Sequence, residues 1–91
     1  MGILGLAFSI LYHPDVVKND IPRLAHPVKQ RVKSTIEAKL SCAPVEFGEP
    51  LRRTLKGYWK LRVGDYRVIY KVTGKTVLIL RIGHRSEVYQ S

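Results

Sequence analysis

The sequence predicts an α+β domain in which helices pack on one face of a mostly antiparallel sheet of about four strands. An apolar stripe with a four-residue period lies early in the chain, and a two-residue alternation of apolar and polar residues dominates its later half. Helices grouped early and strands grouped late are typical of this class. Because 91 residues suit one modest core, we expect residues 1–91 to form a single domain with the order β-α-α-β-β-β.

The predicted early elements are a strand and two helices. Residues 6–12 alternate as a strand does. Pro14 suits the first position of a short helix that runs to about Asn19, and Pro22 interrupts this helix or opens a further turn. The second helix is amphipathic, with an apolar stripe expected to lie on the sheet. That stripe consists of Val28, Val32, Ile36 and Leu40.

Three strands are predicted after a loop rich in turn-forming residues, 45–56. Residues 58–63 and 66–72 form a hairpin through Gly64-Asp65, a two-residue turn with glycine first. The third strand is predicted at residues 76–82. Gly83 then allows a bend or bulge, which leaves room for a short terminal strand over residues 84–89.

Positive charge is concentrated in the later half of the chain. Residues 51–91 carry ten Lys or Arg and two acidic residues, whereas residues 1–50 carry six basic and five acidic ones. This difference places +8 of the formal net charge of +9 in the later half, chiefly on the predicted strands. Such an imbalance indicates a surface that binds polyanions, with nucleic acid as the leading partner and an anionic membrane second.

Several classes of function are disfavoured. Cys42 is the single cysteine, so an intramolecular disulfide or a multi-cysteine metal site is excluded. His13, His26 and His84 show no metal-ligand spacing, and we expect no cofactor. The apolar residues 1–12 are too short to span a bilayer and lack the basic region and cleavage signal of an export sequence, so the cytoplasm is the expected compartment.

Alternation along the predicted hairpin places basic side chains on one face. Tyr58, Lys60 and Arg62 share a face on the first strand, and Arg67 belongs to the same face on the second. The apolar residues between them need the cover of the helix stripe, which leaves the basic set on the open side. This set suits metal-independent RNA cleavage, in which the ribose 2′-OH attacks the adjacent phosphorus and the 5′-oxygen leaves.

That reaction needs a base for the 2′ proton, an acid for the leaving oxygen and cations for the phosphoryl charge. Nearby positive charge favours the phenolate form of tyrosine, so Tyr89 is a candidate base and His84 is its rival. Arg85 shares a face with Tyr89 if the last strand is regular. Paired carboxylates and a nucleophilic triad are not found on this face.

Four segments together resemble the RelE/ParE superfamily of toxins from type II toxin–antitoxin systems, and the RelE branch most. They are residues 48–52 (GEPLR), 55–62 (LKGYWKLR), 64–70 (GDYRVIY) and 84–89 (HRSEVY). The resemblance covers almost the whole chain. It implies a compact α+β fold and an mRNA interferase that cuts messages in the ribosomal A site. It also implies a cognate antitoxin protein that covers the basic site.

The resemblance further implies roles for individual residues. Lys60 matches a catalytic lysine, Arg67 a phosphate-binding arginine and Tyr89 the C-terminal catalytic tyrosine. Arg85 lies in the basic run before that tyrosine, and His84 offers further acid–base capacity. The surrounding residues expected to bind RNA are Arg52, Arg53, Lys56, Tyr58, Arg62 and Arg81.

The sequence departs from the family pattern at two places. Tyr58 stands where the best-known branch has a second lysine. The basic run before Tyr89 is also short, so that Arg85 or Arg81 must supply one phosphate contact. These departures bear on catalysis more than on the fold.

Two other functions remain open from the sequence. One is a ParE-like toxin that inhibits DNA gyrase by binding, and the other is a catalytically degenerate member that binds only an antitoxin or nucleic acid. The joint presence of Lys60, Arg67, Arg85 and Tyr89 favours the nuclease. We expect neither a membrane nor a small-molecule cofactor among its partners.

Overall fold

Five strands form one mixed sheet in the computed structural model, which describes residues 7–51 and 57–88. The strands are Ser9–Tyr12 (β1), Glu49–Pro50 (β2), Tyr58–Val63 (β3), Tyr66–Thr73 (β4) and Thr76–His84 (β5). Their order across the sheet is β1-β5-β4-β3-β2. Strands β1 and β5 run parallel, and every other neighbouring pair is antiparallel. The predicted α+β class and the late antiparallel meander are therefore confirmed.

Helical segments fill the chain between β1 and β2, and one further turn follows β5. A stretch with π-type turns, Val16–Asp20, leads into a 3-10 turn, Ile21–Arg23, which contains Pro22 as predicted. The principal helices are His26–Thr35 (α1), its π-helical continuation Ile36–Leu40, Pro44–Phe47 (α2) and Arg85–Val88 (α3). No helix within the described ranges is long and apolar enough to cross a membrane.

The core lies between α1, its continuation and one face of the sheet. Val32, Ile36 and Leu40 of the predicted stripe are buried, and Val28 is half-buried against them. The sheet contributes the apolar set of the alternating strands, which packs in the same cluster. Its buried members are Leu61, Val63, Val68, Tyr70, Val77, Ile79 and Ile82. The basic residues that alternate with these apolar ones on β3 and β4 therefore lie on the opposite face of the sheet.

The hairpin between β3 and β4 has the predicted turn. Gly64 has a φ of +61°, in the left-handed region that glycine adopts without a steric penalty. The register places Val63 opposite Tyr66 and Arg62 opposite Arg67. The turn therefore determines which basic side chains face each other across the strands.

The end of the chain differs from the expectation of a terminal strand over residues 84–89. Strand β5 continues through His84, and α3 follows at once as a single helical turn. Gly83 makes this possible, because a Cβ at that position would lie 3.1 Å from Cγ2 of Val88. The missing side chain lets α3 fold back onto the sheet, which the local sequence pattern does not reveal.

The predicted loop 45–56 also contains regular structure, namely α2 and the short strand β2. The Tyr70 hydroxyl donates a 2.7 Å hydrogen bond to the carbonyl of Pro44, at the start of α2. A Cβ on Gly48 would overlap this hydroxyl, so glycine is required where the chain enters β2. This anchor joins residues 26 positions apart, which explains why local patterns missed it.

Candidate active site

Three rows of side chains form the open face of the sheet, which is the face opposite α1. Directly paired residues of neighbouring strands share a face, so the strand register defines the rows. Row one contains Arg62, Arg67 and Gly83; row two contains Glu49, Lys60, Ile69 and Arg81; row three contains Tyr58, Lys71, Leu78 and Leu11. The pairing agrees with the predicted common face of Lys60, Arg62 and Arg67.

The open face is basic over β3 and β4 and becomes apolar toward β1. Its Lys and Arg side chains lie chiefly on β3 and β4. Toward the edge strand β1 the face becomes apolar, and Leu11 is 54% exposed there. The positive charge of this face is therefore concentrated over the hairpin.

Arg67 is the buried member of row one. Only 5% of this residue is exposed, and its Nη1 donates to the carbonyls of Gly64 at 3.0 Å and Tyr66 at 2.9 Å. A buried charge requires such polar partners. These bonds fix the guanidinium before any ligand arrives, which is the preorganisation that stabilises a developing negative charge most effectively.

Lys60, in row two, is paired with a carboxylate. Its Nζ lies 3.7 Å from Oε1 of Glu49, the residue that faces it across β2 and β3. The Lys60 side chain is 25% exposed, so a phosphate can reach it. Sequence reasoning missed Glu49 because it placed this residue in a loop, and no local signal indicates the pairing with β3.

Tyr58 and Lys71 face each other in row three. The Lys71 Nζ lies 5.3 Å from the centre of the Tyr58 ring, within the range of a cation–π contact. Lys71 was not among the predicted site residues, although its alternation with Arg67 and Ile69 places it on the same face. It adds a cation beside Tyr58 on the open face.

The backbone of Arg85 contacts the β3–β4 hairpin. Its N–H donates a 2.8 Å hydrogen bond to the carbonyl of Asp65, in the β3–β4 turn. The side chain is exposed at the start of α3, and the end of that helix lies over Gly83 of row one. The structure therefore brings Arg85 to the same end of the sheet as Arg67.

His84 lies apart from this cluster. It pairs with Tyr66, which lies two positions from the buried Val68 on the same strand. Tyr66 and His84 therefore lie on the helix side of the sheet. The two rings meet edge to face, with centres 5.5 Å apart. His84 Nδ1 accepts a hydrogen bond from the backbone N–H of Ser86 at 3.1 Å and lies 2.8 Å from its hydroxyl. In the neutral ring, the proton consequently resides on Nε2.

Arg81 is exposed and borders both the open face and a cavity. It faces Ile69 in row two, beside an irregularity in the β4–β5 register. It also lines a cavity at the edge of β5 together with His84. The structure therefore places Arg81 between the open face and this cavity.

Several predicted site residues lie outside the described part of the chain, and their roles stay predictions. They are Tyr89, Arg52, Arg53 and Lys56. Within the described ranges, no group of three or more His, Cys, Asp or Glu side chains is placed to hold a metal ion.

Comparison with known proteins identifies the family. Residues 10–89 match the model of the ParE toxin of type II toxin–antitoxin systems. The toxin RelG of Mycobacterium tuberculosis is 35% identical over 75 residues, covering 80% of this chain and 86% of RelG. The toxin RelE3 of Methanocaldococcus jannaschii is 28% identical over 84 residues, covering 89% of this chain and 94% of RelE3.

A solved structure extends this likeness to the fold. The toxin–antitoxin complex RelBE2 of Mycobacterium tuberculosis contains a chain that superposes with a TM-score of 0.81 at 30% identity. The match covers 90% of this chain and 95% of that one. Sequence and structure therefore agree that this protein belongs to the RelE/ParE family of toxins of type II toxin–antitoxin systems.

Proposed function

We propose that this toxin is a ribosome-dependent endoribonuclease that cleaves mRNA in the ribosomal A site and so inhibits translation. The observation that carries the proposal is the row formed by Arg62 and Arg67, with Lys60 in the adjacent row. Three cations on neighbouring positions of one open face suit a single phosphodiester. The similarity to toxins named RelG and RelE3 supports the same assignment.

In the proposed reaction, the 2′-oxygen of a ribose forms a bond to the adjacent phosphorus while the bond to the 5′-oxygen breaks. The 2′ proton passes to a base, and a proton from an acid neutralises the departing 5′-oxygen. The products are a 2′,3′-cyclic phosphate and a free 5′-hydroxyl. Negative charge grows on the phosphoryl oxygens, and fixed cations stabilise it.

The residues divide between these tasks. Arg67, held by two carbonyls, is the preorganised phosphate ligand. Lys60 and Arg85 supply further positive charge or the proton for the leaving oxygen, and Tyr89 is the proposed base. Arg62, Tyr58 and Lys71 hold the flanking RNA backbone on the open face. We do not assign the 2′ proton to His84, because its row belongs to the helix side of the sheet.

The proposed partners follow from the relatives. RelBE2 was solved as a complex of toxin and antitoxin. We infer that this chain also binds a cognate antitoxin, whose contact with the open face blocks the RNA. The proposed site of action is the cytoplasm, where the ribosomes are.

The family match leaves a second candidate. The model matched by residues 10–89 is that of the ParE toxin, so binding of DNA gyrase without RNA chemistry is the competing function. The two candidates differ in what they require of the open face. Only the nuclease needs the cations of rows one and two together with a proton acceptor.

Toeprinting on translating ribosomes separates the two. We expect the purified toxin to cut mRNA in the A site. Tyr89→Phe and Lys60→Ala should reduce the rate at least about a hundredfold, as loss of an acid–base group does. Lys33→Ala removes an exposed charge of α1 and serves as the control, with cutting unchanged. Intact mRNA together with inhibited gyrase supercoiling would overturn the proposal.

A further inference from the structure

A cavity at the edge of β5 is not used by the proposed cleavage chemistry. Strand β1 pairs with β5 only as far as Ile79, so the last part of β5 faces the segment around Asp20 instead. The Asp20 Oδ2 accepts a 2.9 Å hydrogen bond from the backbone N–H of Ile82. This contact, across 62 residues, holds the helical segment beside the strand end and forms a cavity between them.

The lining of this cavity combines donors, acceptors and aromatic rings. Its polar members are Asp20, Arg23, Tyr66, Arg81, His84 and Glu87. Arg23, Arg81 and Glu87 are exposed, so their charged groups can adjust to a ligand. With Nδ1 of His84 engaged by Ser86, the neutral ring offers an Nε2 donor.

This chemistry selects a neutral ligand. The carboxylates of Asp20 and Glu87 repel a phosphate, and the guanidiniums of Arg23 and Arg81 repel a metal cation. The volume of about 130 Å³ lies well below the roughly 300–1,000 Å³ of sites that enclose larger ligands. A single flat ring that carries both donors and acceptors satisfies these conditions, and a nucleobase is such a group.

Proximity to the open face makes an RNA base the natural occupant. Arg81 belongs both to row two of that face and to the cavity lining. Glu87 lies in α3, two residues after Arg85, and also lines the cavity. A strand of RNA whose phosphate lies over the hairpin therefore has a neighbouring base within reach of these side chains. Unpaired bases are commonly bound by such aromatic and arginine surfaces.

We propose that this cavity is a base-recognition site and that it prefers guanine. Guanine presents two adjacent acceptors, O6 and N7, which fit the two-pronged donor of an arginine. It also presents two adjacent donors, N1–H and the N2 amino group, which fit the carboxylate of Glu87. None of the other three bases presents such a pair of adjacent donors. The site rests on the proposed nuclease function, whose sequence preference it would set.

Binding of mononucleotides tests the site independently of cleavage. NMR titration of the purified chain should show that 5′-GMP shifts the amides of Leu24, Ile82 and His84, with affinity at least about tenfold above that for AMP, CMP or UMP. Glu87→Gln and Arg23→Ala should each weaken GMP binding about tenfold. Lys18→Ala, an exposed cation of the preceding helical stretch, should leave GMP affinity unchanged.

Several outcomes would overturn the site. Equal affinity for all four nucleotides, or unchanged GMP affinity in both variants, would show that the cavity does not read a base. Equivalent shifts with ribose 5-phosphate would identify a phosphate site instead.

If the toxin cuts RNA, Glu87→Gln should also lose its preference for guanine at one position of the cut sequence. Guanine binding without RNA cleavage would uphold the site and refute the nuclease.

Discussion

Arg62 and Arg67 face each other directly across the β3–β4 hairpin, yet one is exposed and the other is 5% exposed. Two like charges at directly opposed positions destabilise a sheet. The carbonyls of Gly64 and Tyr66 hold the buried guanidinium in place. This opposition of like charges costs stability, and it lies at the centre of the proposed RNA site.

Arg62→Ala should therefore stabilise the fold while weakening RNA binding. Removing the exposed arginine relieves repulsion of Arg67, and we expect the free energy of unfolding to rise by about 0.2–1 kcal/mol. Affinity for a short single-stranded RNA should fall, and the slope of log affinity against log salt should decrease by about one. Chemical denaturation and RNA titration at several salt concentrations measure both effects. An unchanged salt slope would remove Arg62 from the interface.

Glu49→Gln should strengthen RNA binding. The Glu49 carboxylate lies 3.7 Å from the Lys60 Nζ and competes with a phosphate for that cation. Exposed ion pairs contribute about 0–1 kcal/mol, so stability should change little and RNA affinity should rise about two- to fivefold. Glu46→Gln, which removes an exposed carboxylate of α2, is the matched control. Weaker RNA binding in Glu49→Gln would mean that Glu49 positions Lys60 for the ligand.

Gly83→Ala should displace α3 from the sheet. The added Cβ would lie 3.1 Å from Cγ2 of Val88, closer than ordinary packing allows. We expect faster hydrogen exchange at the Arg85 amide, which donates to the Asp65 carbonyl, and a loss of RNA cleavage. Amides of β3 should keep their exchange rates, which separates local displacement from unfolding. Wild-type exchange at Arg85 would contradict this role of Gly83.

Tyr70 should make the fold sensitive to alkaline pH. Burial raises the pKa of the Tyr70 hydroxyl from 10.0 to about 12. The stabilisation is complete below pH 10, where both states hold the proton. It is lost as pH rises from about 10 to 12, because the unfolded chain releases the proton first. Over this window we expect the free energy of unfolding to fall by about 1–2 kcal/mol from this group.

Tyr70→Phe isolates that contribution. The variant loses the hydrogen bond to the Pro44 carbonyl and should be about 1–2 kcal/mol less stable at pH 8. Its stability should then fall less steeply than that of the wild type between pH 10 and 12. Denaturation curves across this range measure the difference. Parallel pH profiles for the two proteins would show that Tyr70 does not carry the effect.

Local patterns in the sequence were sufficient to predict much of the fold. The four-residue stripe through Val32, Ile36 and Leu40 predicted the buried side of α1, and alternation predicted β3 within its observed bounds. These features depend on the periodicity of single elements, which local sequence encodes. The Gly64 turn determined the hairpin register and, with it, the pairing of Arg62 and Arg67.

Long-range contacts explain what local patterns missed. Strand β2 and its Glu49–Lys60 ion pair depend on an anchor between Tyr70 and Pro44. The cavity around His84 depends on a hydrogen bond between Asp20 and Ile82, at opposite ends of the chain. The periodicity of a segment predicts its own secondary structure but not its contacts with a distant segment, so neither contact could be predicted.

By itself, the sequence determined the fold class, the core face of α1 and the basic face of the hairpin, because each follows from local periodicity and turn chemistry. Tertiary structure decided the surroundings of each of those charges. It buried Arg67, paired Lys60 with Glu49, turned Arg85 toward the hairpin and moved His84 to the other side of the sheet. Those differences arise from packing between distant segments, which sets the environment of each charge independently of its position in the chain.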